Sequence, residues 1–133
     1  MFTHIMVGCS NVEKSKSFYD AALGTLGIRG RAAPGGKRLF YMHDGGAFGV
    51  GLPVNGEAVT HANGGTIGFK AAGWEAVDAF HAAGLANGGT CEGAPGDRMG
   101  TGKPTYGAYL RDPDGNKICA FAPTGKASVP SNS

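Results

Sequence analysis

Residues 4–27 read HIMVGCSNVEKSKSFYDAALGTLG and residues 66–89 read TIGFKAAGWEAVDAFHAAGLANGG. Laid over one another at an offset of 62, they agree at Ile5 and Ile67, Glu13 and Glu75, Phe18 and Phe80, Ala21 and Ala83, Leu23 and Leu85, and Gly27 and Gly89. Six identities in 24 positions exceed the about two that composition would supply, and self-similarity over such a span marks a duplicated supersecondary unit.

Each copy opens with a short apolar strand, at 4–8 and 66–70, and continues into a helix. In the first, Ser10 and Glu13 have capping-box spacing. Val12, Ser15, Phe18, Ala22 and Leu26 then share one helical face, with Tyr19 and Leu23 beside it. In the second, Trp74, Val77, Phe80 and Gly84 make the face, and Asn87-Gly88-Gly89 ends it as Gly27 ends the first. Three strand-like runs follow each helix, at 28–33, 37–43 and 47–53, then at 90–94, 105–111 and 116–122. Asp112-Pro113-Asp114-Gly115 carries Asp at i, Pro at i+1 and Gly at i+3 of a type I turn, which predicts a hairpin between the last two runs. The fold class expected is therefore α+β, two tandem βαβββ modules at about 1–60 and 61–123. The polar, aperiodic stretch 124–133 reads as a flexible tail.

A chain of 133 residues suits one domain with a real core. A formal charge of +2 without a basic run or interleaved aromatics speaks against nucleic acid, and no polybasic or long apolar segment speaks for a membrane. With no leader pattern at Met1-Phe2-Thr3-His4, a cytoplasmic protein is expected. Cys9, Cys91 and Cys119 are odd in number and irregular in spacing, so they read as reduced thiols rather than a disulfide or zinc framework.

The module order, taken with Thr3-His4-Ile5-Met6-Val7, Phe18-Tyr19-Asp20 leading to Leu23-Gly24, Gly65-Thr66-Ile67-Gly68-Phe69 and Asp112-Pro113-Asp114-Gly115-Asn116-Lys117-Ile118, resembles the vicinal oxygen chelate superfamily. This is the glyoxalase, bleomycin-resistance and extradiol-dioxygenase group, and the resemblance runs along almost the whole chain. It implies that the modules form curled mixed sheets with a cup-shaped ligand site. In metal-using members of that group, ligands come from the first, fourth, fifth and eighth strands. Carried over, those positions fall on His4, at or near Gly51, on Thr66 and on Cys119. Only His4 is a usual ligand, so the resemblance implies a metal site stripped of most of its donors, and a divalent metal is not favoured. Completing one would take a residue such as His43, His61 or Glu57, since a catalytic metal ordinarily has three protein donors and an open position.

Residues 94–104 read as a loop. Gly102-Lys103 superficially suggests a phosphate loop, but Asp97 stands where the first Gly belongs and Pro104 replaces the Ser or Thr. In a family of this kind the loop borders the cup, which makes Arg98 and Lys103 candidates to grip an anionic group, alongside Thr66 and Cys119 as lining. His81 reads as a packing residue, Cys119 equally as a small core hydrophobe. No paired carboxylates, nucleophile elbow or HExxH pattern is present.

The catalytic residues and cofactor stay unassigned. The leading expectation is a protein that binds a small organic ligand in the cup; the alternative is a metal-dependent isomerase like lactoylglutathione lyase, or an extradiol dioxygenase. A homodimer is expected as the default symmetric assembly.

Overall fold

A computed structural model describes residues 1–99 and 104–122. The element order is β1 (His4–Gly8), α1 (Val12–Gly24), β2 (Arg29–Ala32), β3 (Arg38–His43) and β4 (Gly46–Gly51), then β5 (Ile67–Lys70), α2 (Trp74–Ala86), β6 (Thr90–Met99), β7 (Pro104–Arg111) and β8 (Lys117–Ala122). Two four-stranded sheets have the same topology, β1-β4-β3-β2 and β5-β8-β7-β6, with the first strand of each parallel to the last and the other pairs antiparallel. This is the duplicated βαβββ unit that the repeat predicts. The expected tail at 124–133 lies outside the described residues.

The helices form where the apolar spacing places them, but the first is capped differently from expectation. Asn11, not Ser10, is its N-cap and accepts from the Lys14 N–H at 3.0 Å. The Ser10 hydroxyl instead donates to Asp114 at 2.6 Å, so the docking of the second module takes over the group that a capping box would have used. At the other end Gly27, at φ +80°, turns the chain so that the Ile28 N–H returns to the Leu23 carbonyl at 3.1 Å. This left-handed position suits glycine, and Gly88 serves the same purpose after α2.

Each sheet buries one face beneath its helix. Tyr19 of α1 packs on Tyr41 and Phe48 with ring centroids at 6.0 and 5.2 Å, and Leu39 and Val50 complete that layer. In the second module Val77 and Phe80 of α2 share the core with Ala108, Leu110, Ile118 and Ala120. The two helices pack on one another, and Phe48 meets Phe69 edge to face at 5.2 Å across the modules. The turn Asp112-Pro113-Asp114-Gly115 closes with the Gly115 N–H on the Asp112 carbonyl at 3.0 Å, and β7 and β8 form the predicted hairpin.

A second expectation is overturned. The segment 94–104 is not a loop along its length, because β6 continues to Met99. Pro95 would break a regular ladder, but register shifts between Cys91 and Gly93 and between Gly93 and Gly96 leave it without a paired position, so the strand resumes beyond it.

Candidate functional site

The site is built on the face of the first sheet that turns away from α1. Cross-strand partners share a face, so register decides its membership. Row by row it carries His4, Ala47, Met42 and Arg29; then Met6, Gly49, Phe40 and Arg31; then Gly8, Gly51 and Arg38. Gly30 lies on the opposite, helix-facing side, where an added Cβ would overlap the Tyr41 ring, which fixes the outward direction of its neighbours Arg29 and Arg31.

The three glycines of this face make its floor shallow. The Met6 sulfur lies over Gly49, in space a Cβ would take, and Phe40 Cε1 lies 3.0 Å from that Cβ position. The stem of Arg38 crosses Gly51, its Cγ 2.8 Å from where a Cβ would stand, and Val59 comes to 2.7 Å from the Cβ position of Gly8. The segment that follows β4 thus folds back over one end of the face. Together they enclose a cleft of about 1050 Å³ lined by His4, Met6, Phe40, Met42 and Arg38, with Glu57 at its rim. Met6 and Met42 keep 41% and 54% of their surface exposed, which is unusual for unbranched apolar side chains on a folded sheet unless something covers them.

The corresponding face of the second sheet is furnished otherwise. Gly68 opposes Cys119, and Cys119 Sγ lies 3.3 Å from the position a Gly68 Cβ would take. Burial pushes the Cys119 thiol up to about 11, only partly opposed by the Lys117 ammonium. Lys117 Nζ sits 4.9 Å from the Tyr109 ring centroid, and the Arg98 guanidinium 5.5 Å from it. Arg98 also donates to the Ala94 and Gly107 carbonyls, while Arg111 donates to Gly115 O at 2.9 Å and pairs with Glu92 at 3.2 Å.

The residues singled out from sequence are therefore dispersed. His4 lines the first-sheet cleft and bonds Thr3 at 2.8 Å. Thr66 is exposed just before β5, and Cys119 is buried in β8; neither lines the cleft that holds His4. Arg98 is engaged with the backbone of its own hairpin, and Lys103 lies outside the described residues. Of the residues that could complete a metal site, Glu57 shares the cleft with His4, whereas His43 pairs with its neighbour Asp44 at 3.5 Å and His61 lies against Gly115. Among the described residues no group of three or more His, Cys, Asp or Glu side chains is placed to hold a metal ion.

Register also moves one position. Met6 opposes Gly49 as Gly68 opposes Cys119, so the first-module counterpart of Cys119 is Gly49, two residues before Gly51. Sequence reasoning passed over Arg29, Arg31, Arg38, Phe40 and Met42. The signal was present in Arg29-Gly30-Arg31 and in Arg38-Leu39-Phe40-Tyr41-Met42, where alternation sends every second residue to this face.

A buried polar junction holds the two modules together. Asp112, 4% exposed, accepts the Tyr19 hydroxyl at 2.6 Å and the Asn116 side-chain amide at 2.9 Å, and that amide also donates to the Gly8 carbonyl at 2.9 Å. Burial, then the negative Asp112 beside it, holds the Tyr19 phenol protonated far above its ordinary range.

Residues 1–120 match the family model of the glyoxalase/bleomycin resistance protein/dioxygenase superfamily. A crystal structure of a glyoxalase/bleomycin resistance protein from Albidiferax ferrireducens T118 is 57% identical and superposes with a TM-score of 0.85, covering 91% of this chain and 98% of that one. A glyoxalase-related enzyme from Fulvimarina pelagi is 18% identical at a TM-score of 0.75, with 93% and 88% covered. A lactoylglutathione lyase from Agrobacterium tumefaciens is 17% identical at 0.64, with 92% and 93% covered; both are likenesses of fold alone. No curated protein matches the chain.

Proposed function

We propose, for a chain that belongs to the glyoxalase/bleomycin resistance protein/dioxygenase superfamily, that it binds a small organic ligand in the cup of its first sheet and does so without a divalent metal. The observation that carries this reading is the cleft itself. Its volume of about 1050 Å³ accommodates ligands of the size that occupy pockets of about 300–1000 Å³. Its floor of Met6, Phe40 and Met42 offers apolar surface to a bound molecule, and the thioethers adapt to irregular shapes.

The donor set argues against a metal. A carboxylate at the Gly49 position would have to displace Met6 and Phe40, and the cleft supplies only His4 and Glu57. On the second sheet the Cys119 thiol is held protonated, whereas a metal ligates thiolate. The neighbouring Lys117 ammonium adds repulsion for any dication. The fold shared with a lactoylglutathione lyase does not transfer that activity, since function resides in the site. A cytoplasmic homodimer belongs to the same reading.

The test is a fluorescence titration with the neutral dye N-phenyl-1-naphthylamine together with thermal melts in nickel, magnesium and manganese. Saturable dye binding lost in Phe40→Asp, with melting temperature unchanged by the ions, is expected, because an ion that does not bind the native state cannot stabilise it. A rise in melting temperature with any of these ions, abolished by His4→Ala, would overturn the metal-free reading.

A further inference from the structure

We propose that the ligand of this cleft is an organic anion, an apolar body carrying a carboxylate, sulfonate or phosphate head, and that Arg38 and Arg31 hold the head, with Arg29 adding positive charge at the β2 edge. This rests on the preceding reading that the cleft binds a small organic molecule, and it adds the chemical class.

The arginines converge by register. Arg29 and Arg31 stand two residues apart on β2, hence about 6.7 Å along the strand, both directed away from the helix. Arg31 opposes Phe40, and Arg38 precedes Phe40 by two on the same strand, which makes Arg31 and Arg38 diagonal neighbours about 7–8 Å apart at Cα. Guanidinium groups on stems this long meet readily over such spans. Arg38 lines the cleft itself and Arg31 ends the apolar row formed by Met6, Gly49 and Phe40, whereas Arg29 stands one row away at the β2 edge, where it borders a separate depression with Asp20 and Gly24. A head group held between Arg38 and Arg31 places its body on that row.

Charge accounting separates this face from its counterpart. On the second sheet each described arginine is occupied, Arg98 by two carbonyls and the Tyr109 ring, Arg111 by Glu92 and a carbonyl. On the first sheet, among the described residues, none of Arg29, Arg31 and Arg38 takes part in an ion pair. Lys37, just before β3, adds a cation in the adjoining depression; among the described residues Glu57 is the carboxylate of the cleft lining, and Asp20 lies beside Arg29. Cations that outnumber the carboxylates beside an apolar surface concentrate anions there, and guanidinium groups bind planar oxyanions through paired N–H donors. The glycines at 49 and 51 give this arrangement its shape, since Met6 lies across the first and the stem of Arg38 across the second.

The experiment compares 8-anilinonaphthalene-1-sulfonate with N-phenyl-1-naphthylamine, which share an aromatic body and differ in the sulfonate. The native protein should bind the sulfonate at least tenfold more tightly, one molecule per cleft, with an affinity that falls as salt is raised. The triple variant Arg29→Gln, Arg31→Gln, Arg38→Gln should bring the two dyes to equal affinity, with the neutral dye unchanged. Arg31→Gln alone, a single exposed change, should lose part of the difference and guards against misfolding of the triple variant. Equal binding of both dyes by the native protein would overturn the anion inference and leave the organic-ligand reading standing. Failure of both dyes to bind would remove that reading, and this inference with it. Sulfonate binding that persists in the triple variant, or a loss of dimer in it by sedimentation, would assign these arginines another task and also overturn the inference.

Discussion

Replacing Tyr19 by Phe removes one oxygen from the junction between modules, and its cost can be worked out beforehand. The hydroxyl donates at 2.6 Å to Asp112, a carboxylate only 4% exposed, from a tyrosine with no exposed surface. A hydrogen bond to a buried charged acceptor contributes about 1.5–3 kcal/mol, and here water has no access to replace it. Asp112 keeps the Asn116 amide and the backbone N–H groups of Asp114 and Asn116, so the carboxylate is weakened rather than stranded. The internal comparison is Tyr41→Phe, whose lost bond at 2.8 Å goes to Asp20. The Asp20 side chain is 43% exposed and also pairs with Lys16, so solvent takes the vacated place and the expected cost is about 0.5–1 kcal/mol. Urea unfolding followed by circular dichroism and by the fluorescence of Trp74 measures both. Tyr19→Phe should lower the midpoint with the same slope by both probes, equivalent to a fall of roughly 4 °C in melting temperature per kcal/mol. A Tyr19→Phe cost no larger than that of Tyr41→Phe would refute the claim that this junction couples the modules. Separation of the two probes in the native protein would refute it equally.

Gly30→Ala should destabilise by about 1–3 kcal/mol, because the new Cβ meets a Tyr41 ring fixed at both ends, while Gly49→Ala should cost less, because the exposed Met6 side chain can swing aside; a reversed order in chemical denaturation would show that the floor of the cleft is the more rigid region. The Cys119 thiol is raised from 9.0 to about 11 by burial. Its protonated form is favoured in the folded state, so its contribution is full below pH 9 and is lost as pH climbs toward 11. Cys119→Ala should flatten the fall in stability across that window, and an unchanged slope would contradict it. Sedimentation at micromolar concentration should give twice the 13.5 kDa of one chain, and a single monomeric species would remove the homodimer.

The fold was legible because its signals are local or repeated. The 62-residue offset aligns the first strand and helix of each module, the apolar faces of α1 and α2 follow the 3.6-residue period, and Asp112-Pro113-Asp114-Gly115 states its own turn. Local signals failed where a distant partner intervened. Ser10 has the composition of an N-cap but is taken by Asp114 from the other module, at a sequence separation no local pattern reports. Pro95 argues for a loop until bulges in β6 give it an unpaired position.

The site was less legible because its positions depend on hydrogen-bond register, which an offset does not carry. His4 and Thr66 are 62 apart, but Gly49 and Cys119, which register makes equivalent, are 70 apart. The difference accumulates between the helix and the last strand, where β2 spans four residues and the bulged β6 spans ten. Counting back by the 62-residue offset from Cys119 lands on Glu57, beyond β4 altogether, and the family resemblance puts the position at or near Gly51, one step further along the same face than Gly49, which Met6 covers. The same indirectness hides the arginines. Arg29, Arg31 and Arg38 are scattered basic residues in one dimension, separated by a turn of glycines and a proline, and only the pairing of β2 with β3 gathers them on one face. In the second module Arg98, Arg111 and Lys117 are engaged by the Tyr109 ring, Glu92 and backbone carbonyls. Two sheets of one topology thus differ in charge: in the second the described arginines are bonded internally, and in the first, among the described residues, they stand on the outer face without an ion pair.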